Sequence, residues 1–240
     1  MTIPYVKRFI LPFPVRYLHF FSGIVRRGVA FDVAFRQIPE DRARTVPDTG
    51  PPLWKFRVTG REYIDRRKPY VIVVNHQAGL DIPTLYFVPL NFRWVSKREV
   101  FKVPFFGQFL LLHGDICINR GHATAAMEKV IRDGKLWLSR GASVAIFPEG
   151  TRSHDGEIYR FKAGAFTLAR EAGVEILPVV LDGTTTMIGR NGMFNWRNKL
   201  TVSILPPVSA ERVAAADPKE LMEQVRASMC VRLAEIRKQK

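Results

Sequence analysis

The sequence predicts an α/β domain in which a central, largely parallel or mixed sheet is flanked by helices. Three observations support this fold class. Short apolar runs alternate with helix-like segments, as in chains whose strands are connected by helices. Several runs are continuously apolar, which is expected of strands buried on both faces. The 240 residues, 47% hydrophobic and 25% charged, suit one domain with or without an appendage and exclude a disordered chain, a collagen-like fibre and a polytopic membrane protein.

The charge balance favours an anionic partner. The chain has 37 Lys and Arg against 22 Asp and Glu, a formal net charge of +15. Such a surplus attracts nucleic acid, anionic membrane surfaces or phosphorylated substrates, and the 17 Phe residues favour a lipid surface at least as much as nucleic acid. Cys117 and Cys230 are too few for a disulfide framework or a metal cluster, so a reducing compartment is expected.

Residues 1–36 are predicted to form a basic, amphipathic, helical segment that docks at a membrane interface. The first 31 residues contain no acid and carry basic residues among many aromatic and aliphatic ones. Arg16, Pro12 and Pro14 interrupt the apolar run, which argues against a transmembrane helix or a signal peptide. The composition is typical of a segment lying in a bilayer interface. A helix docked on the domain is the alternative, and both can hold together.

The folded domain is expected to span residues 53–240, after a polar, Pro-rich linker at residues 37–52. Within this domain, apolar runs typical of strands occur at residues 54–58, 70–74, 92–95, 115–118, 143–147, 176–181 and 200–205.

Three helices are predicted between and after these strands. The first starts at Ala123 and has Gly141 as its stop signal, and the second spans residues 162–172 and is followed by Gly173. Asp217 followed by Pro218 is an N-cap signal that opens the last helix. Its apolar stripe comprises Leu221, Val225, Met229, Leu233 and Ile236.

Residues 71–92 are nearly uncharged, but polar residues in their middle predict a buried strand, a polar turn and an amphipathic helix instead of a membrane span. The turn contains Asn75, His76 and Asp81. A five-residue separation on a continuous helix rotates by about 140°, so we expect Gly79 to let the chain bend until Asp81 faces His76.

A carboxylate beside an imidazole raises its basicity and fixes its tautomer. Because no Ser or Cys nucleophile lies nearby in this motif, His76 is a candidate general base on a hydroxyl that the substrate supplies. The spacing alone equally allows a His and an Asp that cap a loop.

A second polar turn follows the run at residues 143–147. Gly150 permits close backbone approach, Thr151 and Ser153 add hydroxyls, and Arg152 offers a planar fork that suits phosphate. These residues indicate an anion site, with an ordinary loop at a strand end as the alternative.

Together these segments resemble the glycerolphosphate/lysophosphatidate acyltransferase family, specifically its 1-acyl-sn-glycerol-3-phosphate acyltransferases. The resemblance covers roughly residues 53–205, and four motifs appear in the family's order. They are Asn75, His76 and Asp81 of the Asn-His-x4-Asp motif, residues 114–120 ending in Arg120, residues 147–153 reading Phe-Pro-Glu-Gly-Thr-Arg-Ser, and residues 176–179 with a central Pro.

The resemblance implies a role for each matching residue. His76 would be the general base on the free hydroxyl of a lysophospholipid, and Asp81 would orient it and stabilise the imidazolium. The acceptor's phosphate and glycerol would be held by Arg120, Glu149, Gly150, Thr151 and Arg152. As an anion, Glu149 would not bind phosphate directly but would bond a hydroxyl or steady Arg152 or Arg120.

The implied reaction moves a fatty acyl group from acyl-CoA or acyl-carrier protein to the sn-2 hydroxyl of 1-acyl-sn-glycerol-3-phosphate, giving phosphatidate. The resemblance implies no metal or organic cofactor, because the thioester is already activated. The expected partners are the lysophospholipid acceptor, the donor and an anionic membrane surface, without nucleic acid. The expected location is the cytoplasmic face of a membrane, as a peripheral or monotopic protein.

Two alternatives remain at this point. The acceptor could be another lysophospholipid or a lyso-aminolipid, since Cys117 and Asn119 depart from the family's usual second motif. Ala78, where many relatives have Ser, also departs from the family, but the proposed chemistry does not require a hydroxyl there. The other alternative is a non-catalytic, basic protein that binds membrane or nucleic acid.

Several further residues carry weaker signals. His19, His113, His122 and His154 lack ligand spacing and are expected at the surface or at helix ends. Lys97 and Lys162 are either phosphate ligands or solvated charges. Residues 237–240 are expected to form a solvated tail.

Overall fold

The computed structural model describes residues 55–103, 106–119, 121, 123–187, 195 and 198–239. The N-terminal segment at residues 1–36, the linker at residues 37–52 and Arg120 lie outside the described residues.

A seven-stranded sheet forms the centre of the described domain, in the order β1-β7-β6-β2-β5-β3-β4. Strands β6, β2, β5, β3 and β4 run parallel to one another, whereas β7 is antiparallel to β6 and parallel to β1. The predicted mixed, largely parallel sheet is therefore confirmed. The strands are β1 (Lys55–Thr59), β2 (Tyr70–Val74), β3 (Phe92–Lys97), β4 (Ile116–Ile118), β5 (Ser143–Ile146), β6 (Glu175–Asp182) and β7 (Lys199–Ile204).

Helices connect and flank these strands. A 3-10 turn at Arg61–Tyr63 follows β1. The α-helices are α1 (Asp81–Leu85), α2 (Arg98–Phe101), α3 (Phe106–His113), α4 (Ala123–Ser139), α5 (Gly164–Ala172), α6 (Ala210–Ala215) and α7 (Pro218–Lys238). Four of them, α1, α4, α5 and α7, were predicted from the sequence, whereas α2, α3 and α6 were not. Within the residues that the structure describes, no helix is both long and apolar enough to cross a membrane.

The sheet separates two apolar cores. All five residues of β2 are buried, as its continuously apolar sequence predicts. Val71 and Val73 belong to the core that also contains residues of α4, α5, α6 and α7. Tyr70, Ile72 and Val74 point to the opposite face, because successive side chains of a strand alternate, and they belong to the core that contains Leu85 of α1.

The C-terminal helix α7 covers one face of the sheet. Its predicted N-cap is confirmed: the Asp217 carboxylate accepts hydrogen bonds from the backbone N–H groups of Lys219 and Glu220. Such a cap stabilises a helix by about 1 kcal/mol. The predicted apolar stripe is also buried, each member contributing about 1.5–3 kcal/mol relative to exposure. Its members are Leu221, Val225, Met229, Leu233 and Ile236.

The prediction of a solvated tail at residues 237–240 is wrong for Arg237. This residue lies in the last turn of α7 and pairs with Glu157 and, at 3.4 Å, with Asp182. Its guanidinium also donates to the carbonyl oxygen of Gly156 at 2.6 Å. The side chain therefore ties the end of α7 to the loop after β5 and to the end of β6.

The parallel arrangement brings five strand ends to one edge of the sheet. Because β4, β3, β5, β2 and β6 are parallel neighbours, their carboxyl ends share one edge, and polar loops there can meet in space. In particular, β2 pairs with β5, with Val73 opposite Ile146. The loops that follow these two strands carry the two motifs, and they are therefore adjacent.

Candidate active site

Asn75 fixes the point at which β2 ends. Its side chain is buried, donates to the carbonyl oxygen of Leu181 at 2.9 Å and accepts from the N–H of the same residue at 2.7 Å. Through its side chain, Asn75 thus continues the pairing of β2 with β6 one residue beyond the end of β2. This bidentate contact holds the following residue, His76, at the carboxyl edge of the sheet.

His76 and Asp81 form a hydrogen-bonded pair. The imidazole Nδ1 lies 2.7 Å from Oδ2 of Asp81, the first residue of α1. Since a carboxylate can only accept, Nδ1 carries the proton and Nε2 keeps its lone pair. The Asp81 side chain is fully buried, whereas 16% of the His76 side chain is exposed. The pair therefore presents a base that solvent can reach, backed by a carboxylate that solvent cannot.

The Asp81 carboxylate also holds the turn that contains it. Oδ2 accepts hydrogen bonds from the backbone N–H groups of Gln77 at 2.6 Å and Ala78 at 2.8 Å. The bend attributed to Gly79 has a different cause, because Gly79 is absent from the glycines with positive φ and a Cβ there would meet nothing within 4 Å. The carboxylate, and not a glycine-specific conformation, brings Asp81 back toward His76.

Two stacked aromatic rings support the imidazole. The His76 ring lies on the Phe147 ring with centroids 3.9 Å apart and planes 12° apart. Phe147 in turn stacks on Trp94, at 4.7 Å and 25°, and Trp94 is fully buried. Together with the hydrogen bond to Asp81, the stack restricts rotation of the imidazole, so that Nε2 points in one direction.

Glu149 joins the two motif loops through backbone hydrogen bonds. One carboxylate oxygen accepts from the N–H of His76 at 2.7 Å and the other accepts from the N–H of Tyr159 at 2.9 Å. The sequence left its partner open between a hydroxyl and an arginine. The contacts observed in the structure are to the backbone, and a direct part in substrate binding stays a prediction.

Burial raises the pKa of Glu149 from 4.5 to about 7, while the two backbone N–H bonds oppose the rise. In the unfolded chain this carboxyl loses its proton near pH 4.5. Between that pH and about 7, the carboxyl of Glu149 is protonated in the folded protein more often than in the unfolded chain. The free energy of unfolding therefore falls as the pH rises through this range.

We expect the unfolding free energy of the wild-type protein, relative to that of Glu149→Gln, to fall by an amount on the order of 2 kcal/mol between about pH 5 and pH 8. Glutamine does not titrate, so the variant lacks this pH dependence. It also loses one carboxylate oxygen as a hydrogen-bond acceptor, but that loss lowers the free energy of unfolding equally at both pH values. Urea unfolding at the two pH values measures the difference. Glu171→Gln, at an exposed carboxylate on α5, should follow the wild type. Parallel pH profiles for wild type and Glu149→Gln would contradict the assignment.

The turn after Glu149 carries exposed groups suited to an anion. Gly150 has a φ of 71°, a conformation that side chains disfavour, and a Cβ there would lie 2.9 Å from Nζ of Lys162. Thr151 and Arg152 are exposed, as is Lys162. The turn thus carries an exposed guanidinium, and the Lys162 ammonium lies against its Gly150.

The backbone of Ser153 closes this arrangement. Its N–H donates to the carbonyl oxygen of His76 at 2.8 Å, and the residue is buried. The segment that contains Arg152 is therefore bonded on both sides to the backbone of His76, by Glu149 before it and by Ser153 after it. Sequence reasoning did not identify these bonds, nor the ring stack.

A second His–Asp pair lies elsewhere in the domain. His113 Nδ1 is 2.9 Å from Oδ1 of Asp115, which also accepts from the N–H of Trp94 at 2.7 Å. Both side chains are buried, and Asp115 precedes β4, at the amino edge of the strands. The expected helix-end position of His113 is confirmed, but the residue is not at the surface. This pair joins α3 to β3 and is closed to substrate.

The remaining site predictions are placed as follows. Arg120 lies outside the described residues. Lys97 is exposed at the end of β3. In the part of the chain that the structure describes, no group of three or more His, Cys, Asp or Glu is arranged to hold a metal ion.

Comparisons with known proteins identify the family of this chain. The family model described as Acyltransferase matches residues 55–182. The chain is 39% identical to a 1-acyl-sn-glycerol-3-phosphate acyltransferase of Chlamydomonas reinhardtii, over 57% of this chain and 41% of the relative. It is 34% identical to the Saccharomyces cerevisiae enzyme of the same name, over 75% of this chain and 60% of the relative. The chain thus spans about half the length of these curated relatives.

A solved structure shares the fold. The crystal structure of the 1-acyl-sn-glycerophosphate acyltransferase of Thermotoga maritima matches 97% of this chain and 86% of that chain with a TM-score of 0.65. At 22% sequence identity, this likeness supports the α/β architecture.

Proposed function

The chain belongs to the acyltransferase family, and from this premise we propose that it transfers a fatty acyl group to the sn-2 hydroxyl of 1-acyl-sn-glycerol-3-phosphate, giving phosphatidate. The donor is acyl-CoA or acyl-carrier protein. The observation that carries the proposal is the His76–Asp81 pair, with 2.7 Å between Nδ1 and Oδ2, at a reachable edge beside the cationic turn. Relatives named for this reaction support it.

His76 acts as general base in the proposed mechanism. Its Nε2 takes the proton of the acceptor hydroxyl while the hydroxyl oxygen attacks the carbonyl carbon of the thioester. The new C–O bond forms, the C–S bond breaks, and the leaving thiolate receives the proton from the imidazolium. The buried carboxylate of Asp81 stabilises that imidazolium without taking its proton. No cofactor is needed, because the thioester already supplies an activated acyl group.

Arg152 binds the acceptor's phosphate in this proposal. The guanidinium offers paired N–H donors that match phosphate oxygens, and its exposed position beside His76 suits a headgroup next to the reacting hydroxyl. Gly150 and Thr151 shape the same turn, and the proposal assigns Arg120 a supporting positive charge. Glu149 acts by fixing the turn to the His76 backbone.

The acceptor is a lipid, so the reaction takes place at a bilayer surface. We propose that residues 1–36 dock the protein there, because their basic and aromatic composition suits an anionic interface. The proposed location is the cytoplasmic face, with peripheral or monotopic attachment.

We expect Arg152→Ala to lower kcat/KM for lysophosphatidate by about 10- to 100-fold, the effect of removing a charge-assisted hydrogen bond, mostly through KM. Thiol release from acyl-CoA or acyl-carrier protein by the purified protein, with a panel of lyso-acceptors, measures both the reaction and this effect. Acceptors without a terminal phosphate should be unaffected.

Arg67→Ala is a matched control, because Arg67 precedes β2 at the opposite edge of the sheet and 79% of its side chain is exposed. It should leave kcat/KM unchanged. An equal loss on all acceptors would assign Arg152 to the fold of the turn. A wild-type preference for a phosphate-free lyso-aminolipid would replace the proposed acceptor, and no thiol release with any acceptor would overturn the function.

A further inference from the structure

Helix α3 exposes leucine where a water-facing helix ordinarily carries polar residues. Leu111 is 63% and Leu112 is 86% exposed, whereas Leu110 beside them is fully buried. Val103, just before the helix, is 48% exposed. Three of the six large hydrophobic residues found exposed among the described residues therefore lie within ten positions of one another. The other three, Tyr63, Leu136 and Val231, are far apart in the sequence.

Positive charge lies in the segment that precedes these leucines. Lys97, Arg98 and Lys102 are exposed on the end of β3 and on α2, with Glu99 as the only acid of residues 97–103. Helix α3 is the next helix after α2, and the N–H of Gly107 in α3 donates to the carbonyl oxygen of Val103 at 2.7 Å. We name residues 97–103 together with Leu111 and Leu112 the α2–α3 surface.

The α2–α3 surface begins at the carboxyl edge of the sheet, where β3 ends, and its leucines lie near the end of α3, just before β4. Strand β3, which ends at Lys97, pairs with β5, and the loop after β5 carries Arg152. At the other end of α3, the ring of His113 contacts the ring of Tyr86, with centroids 5.8 Å apart. Tyr86 immediately follows α1, the helix that begins with Asp81. Packing thus connects both ends of the surface to the elements that hold the catalytic pair.

We propose that the α2–α3 surface contacts the bilayer and inserts Leu111 and Leu112 below the headgroups of anionic lipids. Exposed leucines gain free energy by leaving water for the acyl region, and the cations of the same surface complement anionic headgroups. Contact here would hold the domain against the membrane that contains the acceptor. The inference deepens the proposed function, on which its catalytic consequence rests.

The test uses the full chain with both leucines replaced, Leu111→Gln and Leu112→Gln. Cosedimentation with vesicles of phosphatidylcholine and phosphatidylglycerol should show binding weakened by about tenfold or more, the expected effect of losing two partly inserted leucines. Transfer to lysophosphatidate embedded in these vesicles should fall by a similar factor. Transfer to a short-chain acceptor dispersed in water should be unchanged.

The matched control replaces two exposed residues on other helices, Leu136→Gln on α4 and Val231→Gln on α7, and should bind vesicles as the wild type does. Equal vesicle binding by the leucine variant and the wild type would overturn the inference. A lowered thermal midpoint or a changed oligomeric state would overturn it too, since protein would then cover the leucines. If the wild type transfers no acyl group to either acceptor, the proposed function fails while the vesicle-binding result stands.

Discussion

Replacing His76 with alanine is expected to lower kcat for acyl transfer by about 10³-fold, within the range that general-base catalysis contributes. Without the imidazole, the acceptor hydroxyl has no side chain that can take its proton at the site, and the leaving thiolate loses its proton source. KM should change little, because the phosphate contact assigned to Arg152 remains. Thiol release with lysophosphatidate measures kcat, and circular dichroism with thermal unfolding establishes that the variant is folded.

His154→Ala supplies the matched control. His154 lies in the loop after β5, near the site, with an exposed side chain, and its replacement should leave kcat within about twofold, because exposed side chains away from the chemistry have small effects. A folded His76→Ala protein with wild-type kcat would eliminate the general-base mechanism. It would leave the fold and the family assignment unaffected.

Elements with a complete local signal were predictable from the sequence. Strand β2 was found because five consecutive apolar residues require burial on both faces. Helix α7 was found because Asp217 supplies an N-cap and the apolar stripe that begins at Leu221 repeats at helical spacing. The short helices had no comparable signal: α2 spans four residues and α6 spans six, too few for a periodic pattern. In α6 the cap is Ser209, which accepts from the N–H of Arg212, and serine is common in loops as well.

The site was predictable where chemistry is local and unpredictable where it depends on the sheet. His76 and Asp81 are five positions apart, so the sequence predicted their pairing, with a loop-capping role as the alternative. Glu149 bonds to the N–H of His76 across 73 positions, a contact that exists only because β2 and β5 are neighbours. No local feature of Glu149 distinguishes a backbone acceptor from a substrate ligand.

The two His–Asp pairs show what decides function here. His76 with Asp81, and His113 with Asp115, have similar distances of 2.7 and 2.9 Å and similar chemistry. They differ in the edge of the sheet at which they lie and in whether solvent reaches the imidazole. Topology places the first pair at the carboxyl edge, beside a cationic turn. It buries the second pair between the end of α3 and strand β3. The same two residue types therefore give a candidate base in one place and a structural bond in the other.

Asp81→Asn is expected to lower kcat by about 10³- to 10⁴-fold while KM stays near its wild-type value, as for other carboxylates that orient a catalytic imidazole. Three donors converge on Oδ2 of Asp81: Nδ1 of His76 and the N–H groups of Gln77 and Ala78. If the asparagine oxygen faces them, the hydrogen bonds persist but no negative charge stabilises the imidazolium. If the amide nitrogen faces them, it meets two backbone donors and forces the imidazole into the tautomer with Nε2 protonated, which cannot act as a base.

Asp115→Asn separates catalytic from structural loss. Asp115 is equally buried and accepts from His113 and from the N–H of Trp94, so the same substitution there should lower stability by about 1–3 kcal/mol while kcat per folded molecule stays near the wild-type value. Measuring kcat alongside urea unfolding for both variants compares the two carboxylates directly. Wild-type kcat for a folded Asp81→Asn protein would mean that the Asp81 charge has no part in the reaction. Equal losses of kcat in both variants would mean that the effect reflects general damage to the domain, because only Asp81 bonds to the partly exposed imidazole.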